Sequence, residues 1–153
     1  FLDTGSYTVK NAVILSSAAQ TLTVTGRNNE ERSCSVALEN VFIRRLGEPN
    51  TIRVESRSVV NLKRTTILGS DWKVRTAEVS VNDSRIAGGA IEIAQDVKWK
   101  VHESAVEFLE TEGLDLTVLP RSNDEIGANV EELIQQVVPP EEKEAAREKL
   151  KGD

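Results

Sequence analysis

Two stretches of this 153-residue chain hold side chains whose types and spacing suit chemistry. The first is Phe1-Leu2-Asp3-Thr4-Gly5-Ser6, an apolar pair running into an acid, a hydroxyl and a glycine. The pair anchors the backbone, Gly5 allows a tight turn with its N–H available beside the carboxylate, and the Thr4 hydroxyl can bond across an interface. Read this way, Asp3 is presented to a cleft. The same residues also read as an Asx-type turn closing a strand. The second stretch is Thr65-Thr66-Ile67-Leu68-Gly69-Ser70-Asp71-Trp72, with Ile67 standing 64 residues after Asp3. It couples a buried apolar pair to a glycine and a helix start, and it also reads as a core strand entering a turn.

The elements that would position these residues are strands. From Tyr7 to about Val101 the chain is rich in Val, Ile and Thr, with period-two runs such as Leu22-Thr23-Val24-Thr25 and Thr51-Ile52-Arg53-Val54. Turn clusters break them at Gly26-Arg27-Asn28-Asn29, Gly47-Glu48-Pro49-Asn50, Asn82-Asp83-Ser84 and Gly88-Gly89. Short hairpins joined by such turns predict a compact barrel or sandwich. Ser70 predicts an N-capped single helical turn over Asp71-Trp72-Lys73-Val74. No internal repeat and no low-complexity tract is evident.

Beyond residue 101 the pattern becomes helical. Glu103 to Glu112 reads as a short amphipathic helix ended by Gly113, and Leu114 to Leu119 as an extended segment. A second helix opens at Asn123-Asp124-Glu125 with Ile126, Val130, Leu133, Ile134 and Val137 on one side, and Pro139-Pro140 stops it. Glu141 to Lys151 follows, acids first and bases later, as the helix dipole favours. The expected division is therefore a β domain over 1–101 and a helical linker over 102–153.

Composition narrows the chemistry further. The chain has 25 acidic and 19 basic side chains, and residues 41–75 hold 8 basic against 3 acidic ones. Arg44, Arg45, Arg53, Arg57, Lys63 and Arg64 are not interleaved with aromatic residues, so they read as a solvated sheet face with no direct nucleic-acid binding. No apolar run approaches the ~18 residues that cross a bilayer, and Phe1-Leu2-Asp3 lacks the pattern of a secretory signal. One cysteine, Cys34, and one histidine, His102, argue against an internal disulfide or a zinc site, so no metal or cofactor is expected. The absence of methionine marks the sequence as a processed piece or a fragment. His102 reads as a surface residue, Cys34 as a small buried apolar group, Trp72 and Trp99 as packing residues, and Glu103, Glu107 and Glu110 as a solvated helix face.

The two motifs, in this order and at this separation, resemble the retropepsin-type aspartic proteases of gypsy-type long-terminal-repeat retrotransposons. There an apolar-apolar-Asp-Ser/Thr-Gly-Ala/Ser motif precedes a glycine-containing flap and an Ile-Leu-Gly-x-Asp-Trp/Phe motif. Leu22 to Val36, centred on Gly26-Arg27-Asn28-Asn29, occupies the place of the flap. Ala77 to Ile86 resembles the hairpin that follows, and Val137 to Glu144 the linker toward a reverse transcriptase. The likeness covers about residues 1–93 well and 123–151 loosely.

The resemblance implies a retropepsin-like, mainly β fold, half of a closed barrel with a C-terminal α-helical extension. It implies an intracellular aspartic endopeptidase, in the cytoplasm or a virus-like particle, that cleaves a Gag-Pol type polyprotein as a homodimer. Asp3, Thr4 and Gly5 would form each half of the catalytic centre, and Gly26, Ile67, Leu68 and Gly69 would hold substrate. Two Asp3 carboxylates side by side share a proton and titrate as a pair; the ionised one activates a water while its partner polarises the peptide carbonyl. The family carries a hairpin and a strand ahead of the first motif, so this chain is expected to be an N-terminally truncated piece. Two alternatives use the same residues. One is an inactive β domain of this fold that binds extended peptides or a partner subunit. The other is a structural β-sandwich, which requires Asp3 to lie far from Ile67–Gly69.

Overall fold

The computed structural model describes residues 2–3, 5–17, 19–25, 33–47, 50–94, 96–107, 110–112, 127–137 and 140–151. The chain is mainly β, with short helices near its C-terminal end. The strands are β1 (Leu2–Asp3), β2 (Gly5–Ser16), β3 (Gln20–Thr25), β4 (Cys34–Arg45), β5 (Thr51–Glu55), β6 (Val59–Lys63) and β7 (Thr66–Leu68). They continue as β8 (Asp71–Arg75), β9 (Glu78–Asn82), β10 (Arg85–Ala87), β11 (Ala90–Ala94), β12 (Lys98–His102), β13 (Ala105–Glu107) and β14 (Glu110–Glu112). Helix α1 (Val130–Val137), a 3-10 turn (Pro140–Glu142) and α2 (Lys143–Lys151) complete the described chain.

Every strand pairing among the described residues is parallel. Parallel neighbours cannot be joined by a tight hairpin, because the chain must first travel back to its starting end. Here it does so by coiling. One sheet runs β1-β3-β5-β8-β11-β14; the other carries β12-β9-β6-β4-β7-β10-β13, with β2 also on β4. The chain passes from the first sheet to the second and back again, so each circuit lays one coil on the previous one. Coil one holds β1 and β2, coil two β3 and β4, coil three β5 to β7, coil four β8 to β10 and coil five β11 to β13. The hairpin expectation is thus corrected. The chain does contain a repeat: Trp72 pairs with Ile52, 20 residues earlier, and with Ile91, 19 later.

The core follows from period two applied coil after coil. Tyr7, Val36, Val60, Val79 and Trp99 form one column, and Val9, Leu38, Leu62, Val81 and Val101 another. A third column is Ile14, Ile43, Ile67, Ile86 and Val106. Facing them from the other sheet are Leu22-Ile52-Trp72-Ile91 and Val24-Val54-Val74-Ile93. All belong to one apolar cluster, in which Trp72 and Trp99 meet edge to face with ring centres 5.8 Å apart.

Corners need residues that leave the extended conformation. Asn11, Asn40, Arg64, Asp83 and Glu103 occupy equivalent corners with φ between 45° and 52°, a region that Asn and Asp tolerate best among residues with a Cβ. Another corner uses Gly69 and Gly88, with φ of 81° and 73°.

Two helix expectations are also corrected. Asp71 to Val74 lies in strand β8, because Trp72 and Val74 both point into the core. Glu103 to Glu112 contributes β13 and β14 and continues the coils past residue 101. The second expected helix starts at Val130, later than residue 123, and Asn129 caps it: its Oδ1 accepts the Glu132 N–H at 3.1 Å. The extended segment expected over 114–119 lies outside the described residues. No helix among the described residues is long and apolar enough to cross a membrane.

Candidate functional site

Asp3 ends β1, in the register column of Thr25, Glu55, Arg75 and Ala94. Thr4 and Gly26 lie outside the described residues, as does the centre of the expected flap. Gly5 opens β2 with φ 125°, and its N–H donates to the Ser33 carbonyl at 3.2 Å. Ile67 is 1% exposed and points into the core. Leu68 faces the opposite way and packs in a second apolar cluster with Phe42, Leu133 and Ile134. Gly69 turns the corner, its N–H donating to the Ala87 carbonyl at 2.8 Å.

Asp3 belongs to coil one of the first sheet, and Ile67 and Leu68 to coil three of the second. The coil-three counterpart of Asp3 is Glu55, the last residue of β5, on the other sheet from Ile67. Ile67 is committed to the core and Leu68 to the helix contact, so neither side chain lines an open groove.

The polar groups that the fold does bring together stand at the corner after β6, β9 and β12. Thr65, Ser84 and Ser104 are fully buried there. Ser104 Oγ accepts the Ser84 N–H at 3.0 Å, and Ser84 Oγ accepts the Thr65 N–H at 3.0 Å. Each serine hydroxyl donates to the carbonyl two residues earlier, at 2.7 Å for Ser84 and 2.8 Å for Ser104. The hydroxyls thus satisfy backbone groups that the turn removes from the sheet ladder. On the same corner line Asn40 Nδ2 donates to Asn11 Oδ1 at 2.8 Å, and Asn40 Oδ1 accepts the Asn129 N–H at 3.0 Å.

No protein-family model, curated protein or solved structure matches this chain.

Among the described residues no group of three His, Cys, Asp or Glu side chains is placed to hold a metal ion. Cys34 is buried at 0% exposure and the His102 side chain is 73% exposed, as their sequence neighbourhoods predict. Glu39 lies on β4 directly opposite Lys10 of β2. Its carboxyl is held below the usual carboxylate range by a hydrogen bond from Lys10 and by that ammonium's charge, with Lys63 and Arg64 adding attraction. Lys10 Nζ lies 3.1 Å from Glu39 Oε2, and the pair clips the outer faces of coils one and two together.

Coil one presents an edge that no other described strand pairs with. Strand β2 runs for 12 residues and pairs with β4 on one side; among the described residues its other side has no strand. The exposure of the inward columns reports the same thing. Val36, Val60 and Val79 are at most 1% exposed, as are Ile43, Ile67 and Ile86, whereas Tyr7, Val9 and Ile14 are half-buried. At the other end the Ile67 column closes on Val106, at 2% exposure, while Trp99 and Val101 are half-buried like Tyr7 and Val9. Sequence reasoning missed this edge because it missed the coils. The available signal was an inward pattern at i, i+2, i+5 and i+7, met at 7-9-12-14, 36-38-41-43, 60-62-65-67, 79-81-84-86 and 99-101-104-106.

Proposed function

We propose that this chain is a non-hydrolytic β domain that binds an extended polypeptide segment, taken up as a further parallel strand on β2. One observation carries the reading: three aliphatic or aromatic columns that are sealed in the middle coils stand half-open at coil one. An edge strand offers a row of N–H and C=O groups, and the half-exposed Tyr7, Val9 and Ile14 offer alternate side-chain contacts. Burying each of them fully would release roughly 1 kcal/mol or more, before the cost of ordering the peptide. Every other coil meets its neighbour through this same surface, so the contact geometry is already built.

The test uses a fluorescently labelled peptide covering Ser35 to Arg45, the segment that forms the next coil's version of this strand. Anisotropy titration is expected to show saturable binding, with hydrogen-exchange protection confined to the amides of Tyr7 to Ile14. Tyr7→Lys is expected to abolish binding. Absence of binding, or protection elsewhere, overturns the proposal. The same samples assay hydrolysis of polypeptide substrates at mildly acidic pH, with and without Asp3→Asn. Cleavage that disappears on that substitution would favour an aspartic endopeptidase acting as a homodimer on a polyprotein and would overturn the binding reading.

A further inference from the structure

Residues 127 to 129 run across the stack of coils. The Gly127 N–H donates to the Asp83 carbonyl in coil four at 2.8 Å, the Ala128 N–H to Thr66 Oγ1 in coil three at 2.9 Å, and the Asn129 N–H to Asn40 Oδ1 in coil two at 3.0 Å. Each residue thus steps down one coil. Stacked strands lie about 4.8 Å apart, whereas a chain advances at most about 3.8 Å per residue. Side-chain oxygens in place of carbonyls at coils three and two make up the difference. Gly127 is needed for this path: its φ is 98°, and a Cβ there collides with Thr66 Oγ1, the acceptor of the next N–H. Helix α1 continues the crossing. Its Leu133 and Ile134, both 0% exposed, cluster with Phe42 of coil two, with Leu68 of coil three and Val13 of coil one packed against them. Glu132 pairs with Arg64 of coil three at 3.4 Å.

We infer that this arm is a strap coupling coils that are not neighbours, so that coils one to four open together and only once the arm has left. In a plain stack a coil's stability depends on its own residues and its two neighbours, and damage fades with distance. A segment bonded at once to coils two and four adds a direct term between them. Opening coil two under a docked arm would break the Asn129 bond and uncover Leu133 and Ile134. Opening coil four would free Gly127, the residue whose conformation sets the bonds of the two that follow. None of these bonds reaches coil five, which stands outside the strapped unit.

The experiment is native-state hydrogen exchange on the full chain, wild type against Gly127→Ala. The amides of β4 and β10, in coils two and four, are expected to exchange faster by one common factor of about five or more, the factor for one neutral hydrogen bond. Those of β12, in coil five, should keep their wild-type rates. If Gly127→Ala does not fold, Ile134→Val loosens the helix contact without backbone strain and should raise the same amides together by about three-fold. Faster exchange confined to residues 127–137, or fading from coil four to coil two, overturns the strap and leaves the arm a passive cover. A uniform rise that includes β12 also overturns it, because the whole chain would then open as one body.

Discussion

The Asp71 carboxylate accepts the backbone N–H of Ala90 at 2.9 Å, tying the first residue of one coil to the first residue of the next. Asp71 is part of the motif that resembles a protease signature, yet its observed partner is structural. Asp71→Ala is expected to destabilise the chain by about 1–3 kcal/mol, the usual range for a hydrogen bond to a charged group together with a stranded donor. Asp71→Asn retains an acceptor and should cost less than half as much. Urea titrations of the two variants against wild type check the order.

The corner glycines separate two costs of a side chain. Gly47 has φ 76° and open space around a built Cβ, whereas a Cβ on Gly89, at φ 90°, collides with the Ser70 carbonyl. Gly47→Ala is expected to cost about 1 kcal/mol from backbone strain alone. Gly89→Ala adds a backbone displacement between coils three and four and should cost at least twice that. Thermal melting of both variants makes the comparison.

Burial along a single column should grade the response to truncation. Ile67 is 1% exposed and Ile14, in the same column, is half-buried. Ile67→Ala is expected to cost about 2–5 kcal/mol through lost transfer energy and a cavity. Ile14→Ala should cost roughly 1–2 kcal/mol, since part of its surface already meets water. Equal costs in chemical denaturation would mean that coil one is covered.

The Lys10–Glu39 pair makes a small, pH-dependent contribution. Because the folded chain holds the Glu39 carboxyl below its unfolded value of about 4.3, the unfolded chain takes up the proton first. The stabilisation is therefore complete above that value and is lost as pH falls through the lower, folded one. Lys10→Gln should lower the urea midpoint slightly at pH 7, and the difference from wild type should close on acidification through this window. Both side chains are solvated, which keeps the effect modest.

How far the sequence announces this structure depends on range. Period two marks the strands well: Leu22 to Thr25 and Thr51 to Val54 alternate as expected, and the columns they enter are apolar. What alternation lacks is partner and direction. Tyr7 and Val36 are 29 residues apart, Val36 and Val60 are 24, and Val60 and Val79 are 19, so the early coils hide a period that becomes regular only from coil three onward. The glycine and asparagine clusters read naturally as hairpin turns, yet the same positive-φ residues serve corners between parallel strands equally well. Ser70 reads as a helix cap from its neighbours alone, whereas the cross-sheet contact of Trp72 with Trp99 holds Asp71 to Val74 as a strand. The two motifs are legible as words, yet Asp3 stands on one sheet and Ile67 on the other. The Asn11–Asn40 bond leaves no signal in the sequence, because it depends on which corners stack.

The arm that returns from beyond coil five alters how the whole stack comes apart. Stacked repeats ordinarily couple only to their neighbours, and terminal ones fray first. Here Gly127, Ala128 and Asn129 bond to Asp83, Thr66 and Asn40, and Leu133 and Ile134 seal Phe42 beside Val13. A contact spanning 89 residues thus clasps the opening coils to the closing segment. The molecule behaves less like a zipper with two loose tabs than like a buckled belt: pulling either end free means undoing the clasp, and severing the clasp lets both ends loosen at once.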